Sequence, residues 1–547
     1  MLDKLTPRAR RVLYIIPAWM AFLFLLAMYG LYALDMPYYD QWELVPLLEK
    51  VHSGTFSLGD VWAQHNEHRL VFPRLLMLGL AHLTDWNIYA ELAANLVLAL
   101  LTWAVLFMVI RRSSVQIHEG ENNRVYMAMT LIIFSVSQWQ NWFLGWQLQE
   151  FMNVLAIVIA LGCLSWQTHT SLGVALAMLA GVVATYSFAN GILIWPIGLG
   201  MLVLLRAARP NTFLREAGSW GLVGVVVVTS YLYGYQTPAY HAPLSDALGQ
   251  PRHVSLYFFA YLGQPLGNMS LYLALCMGAL GFLVWLVTLL QLLVCRVSLL
   301  ALLPWIGMAL YALGTAALTA IGRVDEGLEQ ALSSRYVTMA NLLWLPVVVQ
   351  VHWVAQVTEG RFIRFLLPMK MVVICIAVSL SSVFGAYRWT ERYNAYSALR
   401  NEMLYGHDLE KLHTLYPPRP QVIIERRGFL KEHALSIFGP VESPQEKGLC
   451  GTDSCPTTRL TPRHVLARAA TTGSNTVANA RPRPPGLWKC IWWKPTCVWS
   501  RLRGHAPALR CASLLKFAHY RPVASAATVS NACGGTSLCG TDSCPTI

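Results

Sequence analysis

Charge is what this chain has least of. Only 13% of its 547 residues are Asp, Glu, Lys or Arg, while 55% are hydrophobic. A water-soluble domain could not hide so much apolar surface, and runs of about 20 apolar residues are long enough to cross a bilayer core. The composition therefore excludes an ordinary soluble enzyme and predicts an all-α polytopic membrane protein. Familiar chemical signatures are missing too. There is no phosphate-binding P-loop, no G-x-G-x-x-G behind a strand and no G-x-S-x-G nucleophile elbow.

The charge that exists is unevenly spread. Of 41 basic and 28 acidic residues, 13 and 3 lie from Glu446 onward, which leaves 28 and 25 in residues 1–445. Of the net +13, +10 belongs to the tail and only +3 to the body, which offers no basic surface for nucleic acid. Four cysteines (Cys163, Cys276, Cys295, Cys375) fall inside apolar segments, where a thiol serves as small core filler, and eight lie in the tail. That tail repeats "LCGTDSCPT" at 449–457 and 538–546 in otherwise unpatterned sequence. It reads as repeated DNA translated past an ancestral stop. The pairs Cys450/Cys455 and Cys539/Cys544 are spaced wider than a zinc knuckle and lack a His pair. Residues 446–547 are thus expected to be a low-order, non-functional basic tail.

The N-terminus "MLDKLTPRARR" has the charge of a signal peptide, but the apolar stretch Val12–Leu34 is too long for a cleavable one and no small-residue cleavage site follows. It reads as an uncleaved first span. Further apolar segments are expected at 88–110, 125–138, 150–166, 171–188, 191–205, 218–235, 268–295, 299–321, 337–357 and 364–386. Arginines at 111, 112, 124, 206, 209, 215, 296, 361 and 364 then fall on one side. By the positive-inside rule that side is cytoplasmic, giving eleven spans with the N-terminus inside and the C-terminus in the periplasm of a bacterial inner-membrane protein. The domain reading is a multi-span body, 1–386, a small helix-turn-helix segment on the outer face, 387–440, and the tail. The first outer loop, 35–87, is long and predicts interfacial helices at 38–51 and 69–83.

Ionisable residues collect in the outer loops. "LDMPYYDQWEL" (34–44) sets Asp35, Asp40 and Glu43 just after the first apolar run. In a helix over 38–51, Leu44, Leu47 and Val51 form an apolar stripe, and Asp40 stands on it four residues before Leu44. A carboxylate facing inward is costly without a partner or a task. Asp40 is therefore the leading catalytic candidate, with Asp35 and Glu43 as alternatives; the bland reading is that Asp35 and Asp40 complement a helix dipole. "HNEHRLVFPRLL" (65–76) follows in the same loop. There His65 and His68 would share a helical face beside Glu67, Arg69 and Arg74. The cluster fits an anion clamp, a divalent-cation site, or an interfacial helix start with snorkelling cations. Arg323, Arg335 and Tyr336 in "GRVDEGLEQALSSRYV" suit bidentate phosphate contact, or ordinary pairing with Asp325, Glu326 or Glu329. In "WQNWFLGWQLQE" (139–150), Trp142, Trp146 and Gln147 are candidates for sugar contact, and the commoner role is an aromatic belt. Glu150 and Asn190 read as helix end caps.

With these residues in view, the chain resembles the membrane-embedded GT-C glycosyltransferases, the class of protein O-mannosyltransferases and aminoarabinose transferases. The likeness covers roughly residues 10–440 and is architectural: an N-in first helix, acids opening a long outer loop, about ten further spans and a small outer C-terminal segment. "YYDQWE", "HNEHRLVFPRL" and "ALSSRYV" are also similar to stretches of multi-span bacterial proteins grouped near this class. The D-D or D-x-D pair of the class is absent here. The resemblance implies a sugar donor carried on a polyprenyl phosphate and a loop-1 carboxylate as general base on the hydroxyl of a glycan, lipid or protein acceptor. It also implies inversion at the anomeric carbon and arginines holding the departing phosphate. A transporter or flippase of lipid-linked sugar would place charge at mid-membrane and show internal repeats, and neither is seen. A non-catalytic scaffold is the third reading. Deleting 446–547 is expected to leave expression level and membrane localisation unchanged, as measured by immunoblotting of membrane fractions.

Overall fold

The computed structural model describes residues 7–113, 123–166, 170–205, 210–238, 244–358 and 361–439. The chain divides into two compact units, Met1–Cys450 and Gly451–Ile547. The second unit, with the repeated cysteine pairs of the tail, lies outside the described residues. The first unit is helical almost throughout. Among the described residues, seven helices are long and apolar enough to cross a membrane: Tyr14–Tyr32, Ile88–Arg112, Gly145–Leu164, Leu271–Val294, Leu299–Gly322, Ser334–Val357 and Met369–Ala398. Val71–Thr84, Thr170–Thr185 and Ala189–Leu205 are shorter apolar helices. Among the described residues the only sheet is a two-residue antiparallel ladder, Gln64–His65 with His68–Arg69.

Local sequence explains where these helices begin and end. Asn87 caps Ile88–Arg112 by accepting from the Tyr89 N–H, while Arg111 and Arg112 complement its C-terminal dipole. Ser270 caps Leu271–Val294 in the same way. That helix has a close partner in Pro251–Gly267, a stretch expected to be loop. Glycines make the contact possible: a Cβ on Gly263 would sit 1.8 Å from the Ala274 carbonyl oxygen, and one on Gly278 would sit 1.9 Å from that of Phe259. Two helices whose backbones touch need no periodic apolar stripe to declare themselves.

Other boundaries differ from expectation. The segment expected at 125–138 is helical only over Asn123–Ile133. The outer-face segment does not open with a new helix, because Arg361–Ala398 runs unbroken for 38 residues. At 1.5 Å per residue it is about 57 Å long, nearly twice the thickness of a hydrocarbon core. Short helices follow at Arg400–Tyr405, Leu409–His413 and Gln421–Glu432, and the last of them packs against Tyr39–His52 of the first loop. Cys276 and Cys295 are exposed on the outside of the bundle rather than filling its core, and Cys163 and Cys375 are half-buried.

The largest departure is the stretch expected as an outer aromatic belt. Residues 141–150 are all buried; the chain runs through three short turns over Val136–Gln138, Trp139–Phe143 and Gly145–Gln147 before the helix Leu148–Leu164 begins. Irregular backbone away from water must find its hydrogen bonds within the protein. Here side chains supply them. Tyr29 donates to the Trp142 carbonyl at 3.0 Å, Tyr38 to that of Phe143, and Asn95 to that of Asn141 at 3.2 Å. The Val136 N–H donates to Ser382 Oγ at 2.8 Å and the Gln140 N–H to Ser334 Oγ at 3.3 Å.

A buried carboxylate fixes the other side of this stretch. Glu91 accepts from Trp86 Nε1 and from Gln41 Nε2, each at 2.9 Å, which ties loop 1 to the helix Ile88–Arg112. Gly145 lies against it, so close that a Cβ would stand 1.9 Å from Glu91 Oε2. Gly145→Ala should therefore destabilise the detergent-solubilised protein by about 1–3 kcal/mol in thermal unfolding. Gly79→Ala, which meets nothing within 4 Å, should be neutral or slightly stabilising. Equal melting of the two variants would contradict this packing.

Candidate functional site

Loop 1 is shaped by two arginines that act on backbone. Arg69 is buried, and donates from Nε to the Tyr231 carbonyl (2.7 Å), from Nη2 to that of Tyr233 (2.6 Å) and from Nη1 to that of Trp62 (3.0 Å). It thereby closes the carbonyl end of the helix Phe213–Leu232. Arg74, also buried, donates to the Val61 carbonyl at 3.2 Å and to that of Ala63, at the end of the short helix Leu58–Trp62. Both guanidiniums are committed to backbone carbonyls, and neither lines the cavity described below, so they are not placed there as the expected anion clamp. Both instead pin the hairpin that precedes the helix Val71–Thr84.

That hairpin, rather than a helix, brings the two histidines together. Asn66 takes a left-handed backbone (φ 51°), which Asn tolerates, and His65 pairs with His68 across the ladder. Directly opposed residues project from one face. Gln64 anchors the outer edge by accepting from the Gln236 N–H (3.0 Å) and donating to the Gln236 carbonyl (2.6 Å).

The face so presented lines a cavity of about 670 Å³. Its wall includes Asp40, His65, Glu67 and His68 from loop 1, Trp146, Gln147, Gln149 and Glu150 from the buried stretch, and Asn190. Tyr261, Arg323, Arg335 and Tyr336 complete the far side. Distant segments thus bring most of the expected site residues into one chamber. His68 is buried, its ring stacked on Phe188 with centroids 4.2 Å apart. Its Nδ1 accepts from the Ala189 N–H at 3.1 Å, so the neutral ring carries its proton on Nε2, 3.5 Å from Glu67 Oε1. Arg323 bridges Glu67 (3.2 Å) and Glu326 (3.1 Å). His65 packs on Trp146 at 5.1 Å. Burial holds its imidazole below the usual range, with Arg74 adding to the effect and the nearby Asp40 opposing it.

The three carboxylates of the opening stretch separate. Tyr39–Leu44 is a 3-10 turn and only Val45–His52 is α-helical. The four-residue phase that put Asp40 on the Leu44 stripe therefore does not apply, since a 3-10 turn takes three residues. Leu44 is buried, whereas Asp40 is half-buried at the cavity wall with no hydrogen bond or ion pair among the described residues. Asp35 stands elsewhere, accepting from the Ile88 N–H at 2.8 Å at the start of the helix Ile88–Arg112. Burial raises its carboxyl above the usual range, against the pull of that N–H and of Arg400. Glu43 accepts from the Tyr416 hydroxyl at 2.7 Å, Arg426 at 3.1 Å and Arg419 at 3.3 Å, clasping the C-terminal segment to loop 1. Neither Asp35 nor Glu43 reaches the cavity as a catalytic group.

The tryptophans divide as well. Trp142 is fully buried, donates to the Ser135 carbonyl at 2.9 Å and packs against Phe151, so it is neither a sugar platform nor part of a belt. Trp146 and Gln147 do line the cavity. The buried Trp146 Nε1 and Gln149 Oε1 have no hydrogen-bond partner among the described residues. Orphaned polar atoms in a cavity wall are those a polar ligand can satisfy. Glu150 is no end cap: it is buried, held by Asn141 Nδ2 at 3.1 Å, and shares the chamber with Arg335. An ionisable group at the head of an apolar run was the available signal for it. Tyr261, stacked on Tyr336 at 4.8 Å, came from the helix expected as loop. Arg335 makes one side-chain hydrogen bond, to Ser333 Oγ at 3.4 Å, and no ion pair among the described residues. Among those residues no group of three or more His, Cys, Asp or Glu is arranged to hold a metal ion. No family model, curated protein or solved structure matches the chain.

The Glu43 clasp has a pH signature. Burial pushes its carboxyl up, but the Tyr416 hydroxyl and Arg426 outweigh burial and hold it below the usual range. A depressed carboxylate stabilises the fold above its unfolded value of about 4.3 and loses that contribution as pH falls through the lower folded value. Thermal stability should therefore fall as the pH is lowered below about 4.3, and Glu43→Gln should flatten the fall. An unchanged profile in Glu43→Gln would remove the clasp from the account.

Proposed function

We propose that the chain is an integral-membrane glycosyltransferase of GT-C type that moves a sugar from a polyprenyl-phosphate donor to an acceptor hydroxyl. The observation that supports this reading is the shared cavity: Asp40, which makes no hydrogen bond or ion pair among the described residues, lines one chamber with Arg335 and Arg323, together with aromatic and amide side chains. A pocket of convergent acid, base and cation is the arrangement a group-transfer reaction needs. In this scheme Asp40 accepts the proton of the acceptor hydroxyl as its oxygen attacks the anomeric carbon. The bond from that carbon to the phosphate oxygen breaks on the opposite face, with inversion. Arg335 and Arg323 stabilise the charge developing on the lipid phosphate. Trp146, Gln147 and Gln149 offer a ring face and amides to the sugar. The topology that goes with it has eleven spans, a cytoplasmic N-terminus and a chamber opening to the periplasm of a bacterial inner membrane.

Proteoliposomes carrying the full chain and radiolabelled polyprenyl-phosphate sugars test the scheme. Asp40→Asn should lower label transfer by about 10²–10⁴-fold, the range for a lost general base. Asp35→Asn, outside the chamber, should stay within a few-fold of the unaltered chain. Full transfer by Asp40→Asn would end the assignment. Label that crosses the bilayer without being transferred would replace the transferase by a flippase.

A further inference from the structure

A second cavity lies away from the first, between the span Tyr14–Tyr32 and the helices Ile88–Arg112 and Asn123–Ile133. It holds about 370 Å³, and its walls include Tyr14, Trp19, Phe22, Trp103, Phe107 and Tyr126. The rings form a ladder along the groove. Trp103 stacks on Phe107 (5.5 Å between centroids, 13° between planes), Phe107 meets Tyr126 at 4.8 Å, and Phe22 meets Phe134 edge-on at 5.1 Å. Polar atoms in the groove are already occupied, Trp103 Nε1 donating to Thr130 Oγ1 at 2.9 Å. Trp19 and Ile15 on its rim are 58% and 42% exposed, so the groove opens outward from two helices that are long and apolar enough to cross a membrane.

One mouth of this groove is basic. Arg124 donates from Nε to the Tyr14 hydroxyl at 2.8 Å, and its guanidinium lies 5.8 Å from the Tyr14 ring centroid. Arg111 sits 5.7 Å over the Phe107 ring at the same end. The other end closes on Phe22 and Phe134. A slot of hydrocarbon character with two guanidiniums at one mouth matches a molecule with an apolar chain and a phosphate at its end. Guanidinium prefers phosphate to a bare apolar surface because its planar N–H groups match two phosphate oxygens.

We propose that this groove binds an anionic phospholipid of the surrounding bilayer. One acyl chain lies along the ring ladder and the phosphate meets Arg111 and Arg124. The site is separate from the chamber around Asp40 and does not depend on the reaction assigned there. A zwitterionic lipid gains the same apolar contact, but its ammonium cancels much of the attraction to the arginines.

Native mass spectrometry of the full chain in neutral detergent, titrated with phosphatidylglycerol and with phosphatidylcholine, tests the site. Each arginine near a lipid surface is worth roughly a five-fold gain, so phosphatidylglycerol should be retained at least about ten-fold more tightly. The double variant Arg111→Gln/Arg124→Gln should reduce it to the phosphatidylcholine level, and Trp103→Ala should weaken both lipids. Arg215→Gln, an exposed arginine on another helix, should keep the full preference. If the double variant does not fold, ionic strength raised to about 1 M, where screening acts within about 3 Å, should abolish the preference of the unaltered chain. Equal retention of the two lipids, or a preference that survives both the double variant and high salt, overturns the proposal.

Discussion

The structure depends on keeping irregular backbone dry. Between Ser135 and Gln147 the chain abandons continuous helix among buried, largely apolar side chains, where backbone groups turned away from the cavity must find partners within the protein. Every element that reaches this stretch brings a donor or acceptor to it: Tyr29 from the first span, Tyr38 from loop 1, Asn95 from the next span, Ser334 and Ser382 from late in the chain. The stretch answers with side chains of its own. Asn141 donates to Glu150, to the Arg335 carbonyl and to Thr338. Satisfying this backbone fixes the mutual position of helices far apart in sequence, and the chamber is the space left beside it. Trp146, Gln147, Gln149 and Glu150 are cavity wall and structural hub at once.

The same economy governs the charged groups. Loop 1 and its neighbours hold several carboxylates and guanidiniums, and most are absorbed by structure. Asp35 holds a helix start, Glu43 clasps the C-terminal segment, Glu91 bridges Trp86 and Gln41, and Arg69 and Arg74 hold carbonyls. Each such group is costly to bury unless paired, so each marks a joint between segments. Against that background Asp40 and Arg335 stand out by having little else to do. This contrast and the common cavity, not the number of charged residues nearby, set these two residues apart.

Much of the candidate site was legible in the sequence because ionisable residues are so rare here that a cluster is itself a signal. Asp40, His65, Glu67, His68, Arg323, Arg335 and Tyr336 all reach the one chamber. A cluster of ionisable residues does not imply a regular element beneath it. Helical phase was applied to Tyr39–Leu44 and to His65–His68, where the chain forms a 3-10 turn and a hairpin. The Trp- and Gln-rich stretch was assigned to the water boundary by composition, although amides suit a buried backbone equally well. Pro251–Gly267 escaped notice because glycine contacts leave no periodic trace.

By itself the sequence determined the helical, membrane-compatible character of the body and the candidacy of loop 1. Both follow from composition and from the length of apolar runs, which need no knowledge of neighbours. Only the tertiary structure decided which carboxylate lines the chamber, which arginines line it with that carboxylate, and that Glu150 lies in its wall. Those outcomes turn on partners 50 to nearly 400 residues away along the chain, such as Ile88 for Asp35 and Tyr416 for Glu43. A hydrogen bond between such distant segments exists only once the chain has folded.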